Sequence, residues 1–436
     1  MSIHGAPRSL YLPAIAFSAT VLGLFAAAPA VADEIRYADA QTCEPTVEQV
    51  AEIQDESWTQ VSYRVRAGQP LKRLETRLLI DIRRIDSDTQ SNLFRSALAE
   101  FQSANWGAAR QAFGTVAGGG RTQDAATGTI EYRPFPAVEA GKTKWYVAYA
   151  HYYYAASSLE EGLQKGEAAL IEDALRAVDA DKGDEKGFLA RYKEGKSRFY
   201  ADAWLVKAKA LVALKKYDEA AAAFDGLYQK SLTTPIGVRF SYEAKVGAGL
   251  IAEAKGDPKA AETAYEGAAA ALQSLFDQPQ DACGKREIGR WFNEARIQKA
   301  RVMLAEAEKA ASPAEFARMR AFLVQGTPEA LRTRLAGKPA DVVDAVLGGA
   351  LAPSVQAVTQ NGLGVAALSD KKYAEAVVAF NNVRIKYFQV RSEVPRALRY
   401  LAKAADQAAA AATKPDAKSL YSDQAAAARA ELERWK

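Results

Sequence analysis

Imidazole and thiol side chains are common general bases, nucleophiles and zinc ligands, and this 436-residue chain contains two histidines and two cysteines. They are His4, His151, Cys43 and Cys283, which lie far apart in the sequence. A Cys/His zinc site needs four ligands, and a Ser-His-acid triad or a Cys-His pair would depend on His151. We interpret His151 as a partly buried, hydrogen-bonded residue. The sequence therefore predicts no metal site and none of these catalytic groups.

Residues 141–143, Gly-Lys-Thr, match the end of the phosphate-binding pattern G-x-x-x-x-G-K-[ST]. The first glycine of that pattern falls on Pro136, and no buried apolar strand precedes the segment. Because the backbone N–H groups then have no loop in which to surround a phosphate, we expect no nucleotide and no other cofactor.

Neighbouring carboxylates could act as acid/base couples, and two such groups occur: Glu160 with Glu161, and Asp181 with Asp184 and Glu185. Helices rich in Glu and Lys carry similar pairs along their solvated faces. We therefore interpret both groups as surface charges, and we predict a protein that is not an enzyme.

Residues 145–154 are densely aromatic. On a helix, one core-facing stripe would be formed by Trp145, Tyr149, Tyr152 and Ala156. The other aromatic residues point elsewhere and are Tyr146, Tyr153 and Tyr154. This arrangement indicates either burial on both sides or a lined groove, and we favour burial. In a groove, these tyrosines would suit the capture of a peptide or a glycan, since they combine apolar area with a polar tip.

The overall balance of charge and hydrophobicity is that of a folded protein. Hydrophobic residues make up 49% of the chain and charged residues 25%. The 57 basic and 53 acidic residues give a formal charge of +4, which is too small and too scattered to indicate nucleic-acid binding.

Residues 1–32 have the pattern of a secretory signal peptide, with an apolar stretch over residues 10–28 and small residues before a cleavage point after Ala32. A membrane anchor is the alternative, but Pro13 and Pro29 argue against a continuous spanning helix. We therefore expect a periplasmic or secreted protein without a stable membrane anchor. In that compartment Cys43 and Cys283 could form a disulfide or stay apart, and the sequence does not decide between the two.

Residues 33–86 favour a small β-rich module. Apolar residues alternate at Val61, Tyr63 and Val65, a Gly-Pro turn signal covers residues 67–70, and a second β-rich run follows over residues 78–82. An irregular extension packed on the rest of the chain is the alternative. We prefer the module.

A helical period begins at about residue 88, and a pattern of small and aromatic residues then recurs. In "ADAWLVKAKALVALKKYDEAAAAFDGLY" the positions are Trp204, Ala208, Tyr217, Ala220 and Phe224. Further matches place Gly249, Ala261, Tyr265, Gly364, Tyr373, Ala376 and Phe380 at equivalent positions. This pattern resembles the tetratricopeptide repeat family, whose units are helix-turn-helix pairs.

The resemblance implies a mainly α protein in which hairpins over residues 88–413 stack into a superhelix, or α-solenoid, with residues 414–436 as a capping helix. Family members that bind a C-terminal carboxylate use Lys and Asn on successive first helices. The matching positions here are Asp202, Leu205, Lys209, Glu243, Val246, Leu250, Val358, Asn361 and Val365, so that clamp is absent.

By this resemblance we expect an exported scaffold or adaptor that binds a protein or peptide partner. The candidate binding residues are Tyr146, Tyr153, Tyr154, Leu205, Lys209, Val246 and Leu250. The alternative is a binder of glycans or small ligands that uses the aromatic helix over residues 145–154. The partner and the oligomeric state do not follow from the sequence.

Overall fold

A computed structural model describes residues 33–57, 59–83, 89–123, 130–136, 144–182, 185–192, 197–234 and 236–435. In this part of the chain the protein is mainly helical, with a small β region at its N-terminal end. The predicted signal peptide, the Gly-Lys-Thr segment over residues 141–143 and Asp184 lie outside the described residues.

The strands are β1 (Asp33–Ala38), β2 (Pro45–Val50), β3 (Glu52–Glu56), β4 (Gln60–Arg64), β5 (Lys72–Glu75), β6 (Leu79–Arg83), β7 (Gly120–Gln123), β8 (Ile130–Arg133), β9 (Asp181–Lys182) and β10 (Glu185–Lys186). The helices up to residue 255 are α1 (Thr89–Gln102), α2 (Trp106–Ala117), α3 (Trp145–Lys165), α4 (Ala168–Asp179), α5 (Phe188–Tyr192), α6 (Tyr200–Ala213), α7 (Tyr217–Thr233) and α8 (Val238–Lys255). Those that follow are α9 (Pro258–Ser274), α10 (Ala282–Ala310), α11 (Pro313–Val324), α12 (Pro328–Arg334), α13 (Ala340–Ala350), α14 (Pro353–Ser369), α15 (Tyr373–Lys386), α16 (Val394–Ala411) and α17 (Pro415–Glu433).

The N-terminal strands form two antiparallel three-stranded sheets, with the orders β2-β1-β6 and β3-β4-β5. Ile35 lies opposite Ile82 in the first sheet, and both side chains are buried. In the second sheet Val61 and Tyr63 are buried, and so is Ser62 between them, which means that both faces of β4 are covered. The predicted β-rich region is therefore confirmed, and it is divided between two sheets.

Six helix-to-helix turns share one backbone conformation. In each turn, the residue two positions before the second helix has a positive φ, between 48° and 77°. These residues are Ala104, Gly166, Lys215, Gly256, Ala311 and Lys371. A left-handed residue at this point ends the first helix and reverses the chain, so the same hairpin turn recurs along the sequence.

Most of the residues that the repeat pattern assigned to packing are buried, while Trp204, Tyr217 and Tyr373 are half-buried. At Gly364 an added Cβ would lie 2.7 Å from the Phe380 ring, so this glycine allows α14 and α15 to approach closely. A second close approach involves α7 and α8, because a Cβ added at Gly247 would lie 2.2 Å from the Phe224 ring.

The chain divides into two compact units, and the first, unit 1, extends to Ala254. One of its hydrophobic clusters joins α1 to α6, and another joins α6, α7 and α8. Strands β7 and β8 pair, and Phe135 and Phe188 are buried, because both rings pack against α3.

The second unit, unit 2, begins at Lys255 and has its own core around α10, α11 and α14 to α17. Helices α10 and α13 cross where two glycines meet: a Cβ at Gly349 would lie 2.2 Å from the carbonyl oxygen of Gly289. Helix α17 buries Ala425 and Ala428 against this core and is otherwise mostly exposed.

In the described residues no single helix has the length and apolarity to cross a membrane. The bent pair α13 and α14, at 62° to each other, meets that criterion by length and composition.

Candidate functional site

The aromatic residues of α3 form part of the interior of unit 1. Tyr146 and Tyr154 are buried, and the Tyr154 hydroxyl accepts a hydrogen bond of 2.6 Å from the backbone N–H of Arg121. The half-buried Tyr153 ring stacks on Phe113 with a centroid distance of 5.1 Å. Tyr146 and Tyr154 are therefore wrong as candidates for an open groove, because neighbouring elements cover both faces of α3.

His151 is also buried in α3. Its ring stacks on Phe135 at 3.8 Å, and its Nε2 lies 2.9 Å from the carbonyl oxygen of Ala177. Burial, with the nearby positive charge of Arg191, lowers the pKa of His151 to about 3. The imidazole is therefore neutral and hydrogen-bonded at ordinary pH, and it is not placed to act as a base.

The candidate binding residues on α6 and α8 are also largely buried. Leu205, Lys209 and Val246 are buried, and Leu250 is half-buried. Helix α6 packs against α3, α4 and α7, which leaves little of its surface in contact with solvent. These positions therefore form no open groove in the described residues, and a narrow cleft is lined by Leu205 and Lys209.

Four charged residues line this cleft, and a fifth, Glu243, pairs with one of them; we call the five residues the charged cluster. They are Glu160 on α3, Asp202 and Lys209 on α6, and Arg239 and Glu243 on α8. Lys209 Nζ lies 3.0 Å from Glu243 Oε2, and Arg239 Nη1 lies 3.0 Å from Asp202 Oδ1. These ion pairs connect α6 to α8.

Glu160 lies at the inner end of the cleft. Glu160 is 3% exposed, and its Oε1 atom has no hydrogen-bond partner among the described residues. The Arg239 and Asp202 side chains are 36% and 15% exposed, so they mark the solvent side. The cavity is about 10 Å³, which is room for about one water molecule. Tyr152, Leu205 and Val206 are among its other lining residues.

The acids of the cluster differ in their proton affinity. Burial raises the pKa of Glu160 to about 7, although the charge of Lys209 opposes the rise. Burial also raises the pKa of Asp202 against the effect of Arg239. At Glu243, burial acts in the same direction, but Lys209 and Arg239 outweigh it and lower the pKa. With a pKa of about 7, Glu160 exchanges its proton near neutral pH.

The interpretation of Glu160 and Glu161 as surface charges is wrong, because both are buried. Glu161 accepts hydrogen bonds from Arg110 Nε at 2.6 Å and Lys165 Nζ at 2.7 Å, so its charge is satisfied. The helical stripe through Tyr152 and Ala156 continues to Glu160, and this spacing was the signal that could have placed Glu160 inside.

In unit 2, Asn361, one of the positions compared with the carboxylate clamp, makes a buried polar contact. Asn361 on α14 is buried and donates hydrogen bonds to the backbone oxygen of Glu393 at 3.1 Å and to its Oε2 at 3.0 Å. Arg301 Nε lies 3.3 Å from Glu393 Oε1. Val358 and Val365 are buried beside Asn361, so this contact supports the packing of α10, α14 and α16.

A different surface feature lies on α15 and directly after it. The side chains of Val378, Ile385 and Phe388 are 62%, 66% and 64% exposed, and we call them the α15 stripe. Val378 and Ile385 lie two helical turns apart and therefore face the same side. Lys386 and Arg391, also exposed, form no ion pair among the described residues. The stripe is thus apolar and has basic neighbours at one end.

In the described residues no group of three or more His, Cys, Asp or Glu side chains is placed to hold a metal ion. Cys43 and Cys283 are both disulfide-bonded. The sequence matches no known protein-family model and no curated protein at a significant level.

Proposed function

We propose that this protein is an exported, non-catalytic helical-repeat adaptor, similar to tetratricopeptide repeat proteins, that binds a protein partner. The observation that carries the proposal is the α15 stripe. Single exposed apolar residues are ordinary, but Val378 and Ile385 share one face of α15, and the exposed Phe388 follows two residues after the helix ends. Exposed apolar surface concentrated in one segment marks protein interaction sites. The recurring hairpin turns support the repeat architecture.

The stripe and its neighbours define the chemistry of the partner. Val378, Ile385 and Phe388 offer apolar area, and Lys386 and Arg391 add two positive charges. A partner segment with an apolar face and acidic residues at one end would complement both features. We therefore assign the stripe to an amphipathic, acidic segment of another protein.

The alternative function, capture of a glycan or small ligand by the aromatic helix over residues 145–154, loses its support. The tyrosines that would have lined such a site are buried or packed against Phe113. No open aromatic surface is therefore left there in the described part of α3.

The test is crosslinking of the mature protein in a cell-envelope extract, followed by identification of the captured proteins. Ile385→Glu and Phe388→Glu are compared with Leu420→Glu, which places the same charge at an exposed apolar residue of α17. We expect the same protein to be captured by the wild type and by Leu420→Glu, and to be lost with both stripe variants.

Capture that survives both stripe substitutions would overturn the assignment of the stripe. Light scattering on the purified wild type and variants tests whether a second copy of the chain, rather than another protein, binds the stripe. Self-association that depends on Ile385 and Phe388 would replace the partner protein by a homodimer.

Export is tested separately by expressing the full chain in a bacterial host and sequencing the N-terminus of the envelope fraction. We expect the mature protein to begin at Asp33 and to be absent from the cytoplasmic fraction. An uncleaved chain that stays in the cytoplasm would overturn this part of the proposal.

A further inference from the structure

The charged cluster contains one more acid than base. Asp202 pairs with Arg239, and Glu243 pairs with Lys209, whereas Glu160 Oε1 has no hydrogen-bond partner among the described residues. The neighbouring Arg198 and Glu56, with Nε and Oε2 3.8 Å apart, add one charge of each sign and leave the balance unchanged. A buried carboxylate without a partner is costly, so it requires a proton or a bound cation.

We propose that the cleft binds a primary ammonium group, with the Glu160 carboxylate as its partner. The site is distinct from the α15 stripe and does not depend on the proposed function. The cavity of about 10 Å³ accepts a group the size of a water molecule, which is also the size of an ammonium head. Because the head fills this cavity, the alkyl stem of the amine extends towards the solvent side, which Arg239 and Asp202 mark.

A metal cation fits this site less well than an ammonium group. A hard cation requires a shell of several oxygen ligands. Here the oxygens of Asp202 and Glu243 already accept from Arg239 and Lys209, so Glu160 is the carboxylate left to bind a ligand. An ammonium group instead needs only a few hydrogen-bond acceptors, and the unpartnered Glu160 Oε1 is one.

Binding competes with protonation of the same carboxylate. The groups that face Glu160 are Tyr152 on its own helix, Asp202 and Lys209 on α6, and Arg239 and Glu243 on α8. Since burial holds the pKa of Glu160 at about 7, the carboxylate is mostly protonated at pH 6 and mostly ionised at pH 8. Ammonium affinity therefore rises about tenfold between these two values if only the ionised form binds.

The experiment measures thermal unfolding of the mature protein in amine-free phosphate buffer at constant ionic strength. Methylammonium chloride is titrated at pH 8, with tetramethylammonium chloride and sodium chloride as controls of equal charge. We expect a saturable increase in Tm with methylammonium, a smaller response at pH 6, and none beyond the ionic-strength baseline with either control salt.

Two variants complete the test. Glu160→Gln should remove the methylammonium response, whereas Glu161→Gln, which changes the adjacent buried carboxylate that already has two partners, should retain it. If either glutamine variant fails to fold, titration of the wild type by NMR with the Glu side chains labelled still reports whether methylammonium lowers the pKa of Glu160. A response to sodium equal to that of methylammonium, or a response retained in Glu160→Gln, would overturn the proposal.

Discussion

The charged cluster of unit 1 and the α15 stripe of unit 2 depart from ordinary solvation in opposite directions. The cluster removes charged groups from water, and ion pairs between α6 and α8 offset the desolvation cost for four of the five. The stripe leaves Val378, Ile385 and Phe388 in water, with no described residue to cover them. The cluster is therefore nearly complete within the chain, with one carboxylate unpaired, whereas the stripe is largely exposed, and the proposed function assigns its cover to a partner protein.

The two units also hold their helices together by different contacts. In unit 1 the buried ion pairs and the aromatic rings of α3 connect successive helices. In unit 2 the backbones of α10 and α13 approach at Gly289 and Gly349, and Gly364 admits the Phe380 ring. The stability contributed by ion pairs changes with pH and with the loss of one partner. The stability contributed by glycine contacts falls when a larger side chain is introduced. Different substitutions should therefore destabilise the two units.

The largest effect is expected at the Lys209–Glu243 pair. Lys209→Met leaves Glu243 buried without its closest counter-charge and should lower the free energy of unfolding by about 3–5 kcal/mol. Lys207→Met, on the same helix, removes a more exposed pair with Asp179 and should cost at most about 1 kcal/mol. Urea unfolding at pH 7 measures both. Equal losses would mean that the buried pair contributes no more to the stability of unit 1 than the exposed pair.

The next effect is the pH dependence contributed by Glu160. Its pKa is raised from 4.5 to about 7 by burial, so the folded state binds the proton more tightly than the unfolded state. This contribution is fully present below about pH 4.5 and is lost as pH rises through about 7, a change of about 3 kcal/mol.

Urea unfolding at pH 5, 6, 7 and 8 in amine-free buffer tests this dependence. The Glu160→Gln variant should lose this component of the pH dependence. Parallel stability profiles for the wild type and this variant would show that Glu160 does not titrate in the range.

A smaller effect is expected where α10 and α13 cross in unit 2. Gly349→Ala places a methyl group against the carbonyl oxygen of Gly289 and should cost about 1–3 kcal/mol through overpacking. Gly348→Ala meets no atom within 4 Å and should stabilise the helix by up to about 1 kcal/mol. Opposite signs in thermal unfolding are expected, and a loss in both variants would contradict the glycine contact.

The smallest effect should come from the stripe itself. Val378→Lys changes an exposed residue and should alter stability by no more than about 0.5 kcal/mol. The adjacent Val377 is buried, and Val377→Lys should destabilise by more than about 2 kcal/mol. A large loss with Val378→Lys would show that the stripe supports the fold, and the contrast with the cluster would disappear.

Local patterns predicted much of the secondary structure. Alternation at Val61 and Tyr63 indicated β4, and the small and aromatic positions around Ala208 and Phe224 indicated α6 and α7. These features depend on neighbours a few residues away, which is why a single sequence contains them. Helix α13 falls within the predicted helical region over residues 88–413, but no pattern of small and aromatic residues places it there as a separate helix.

The candidate site was predicted less well, because it depends on the distance between helices. Leu205 and Lys209 do line the cleft, but no local pattern indicates that Glu243 lies 3.0 Å from Lys209. Glu160 was misplaced because its neighbour Glu161 suggested a solvated pair. The exposure of Ile385 depends on which helices cover α15, and a helix with apolar residues on several sides does not reveal this locally.

His151 offers an internal reporter of local opening in unit 1. The imidazole is enclosed by Phe135, Phe188 and Tyr192, and its Nε2 is occupied by Ala177. A reagent that acylates imidazole can reach it only when this enclosure opens. The rate of labelling at position 151, read by mass spectrometry, therefore measures how often the enclosure formed by Phe135, Phe188 and Tyr192 opens, at conditions where the whole chain stays folded.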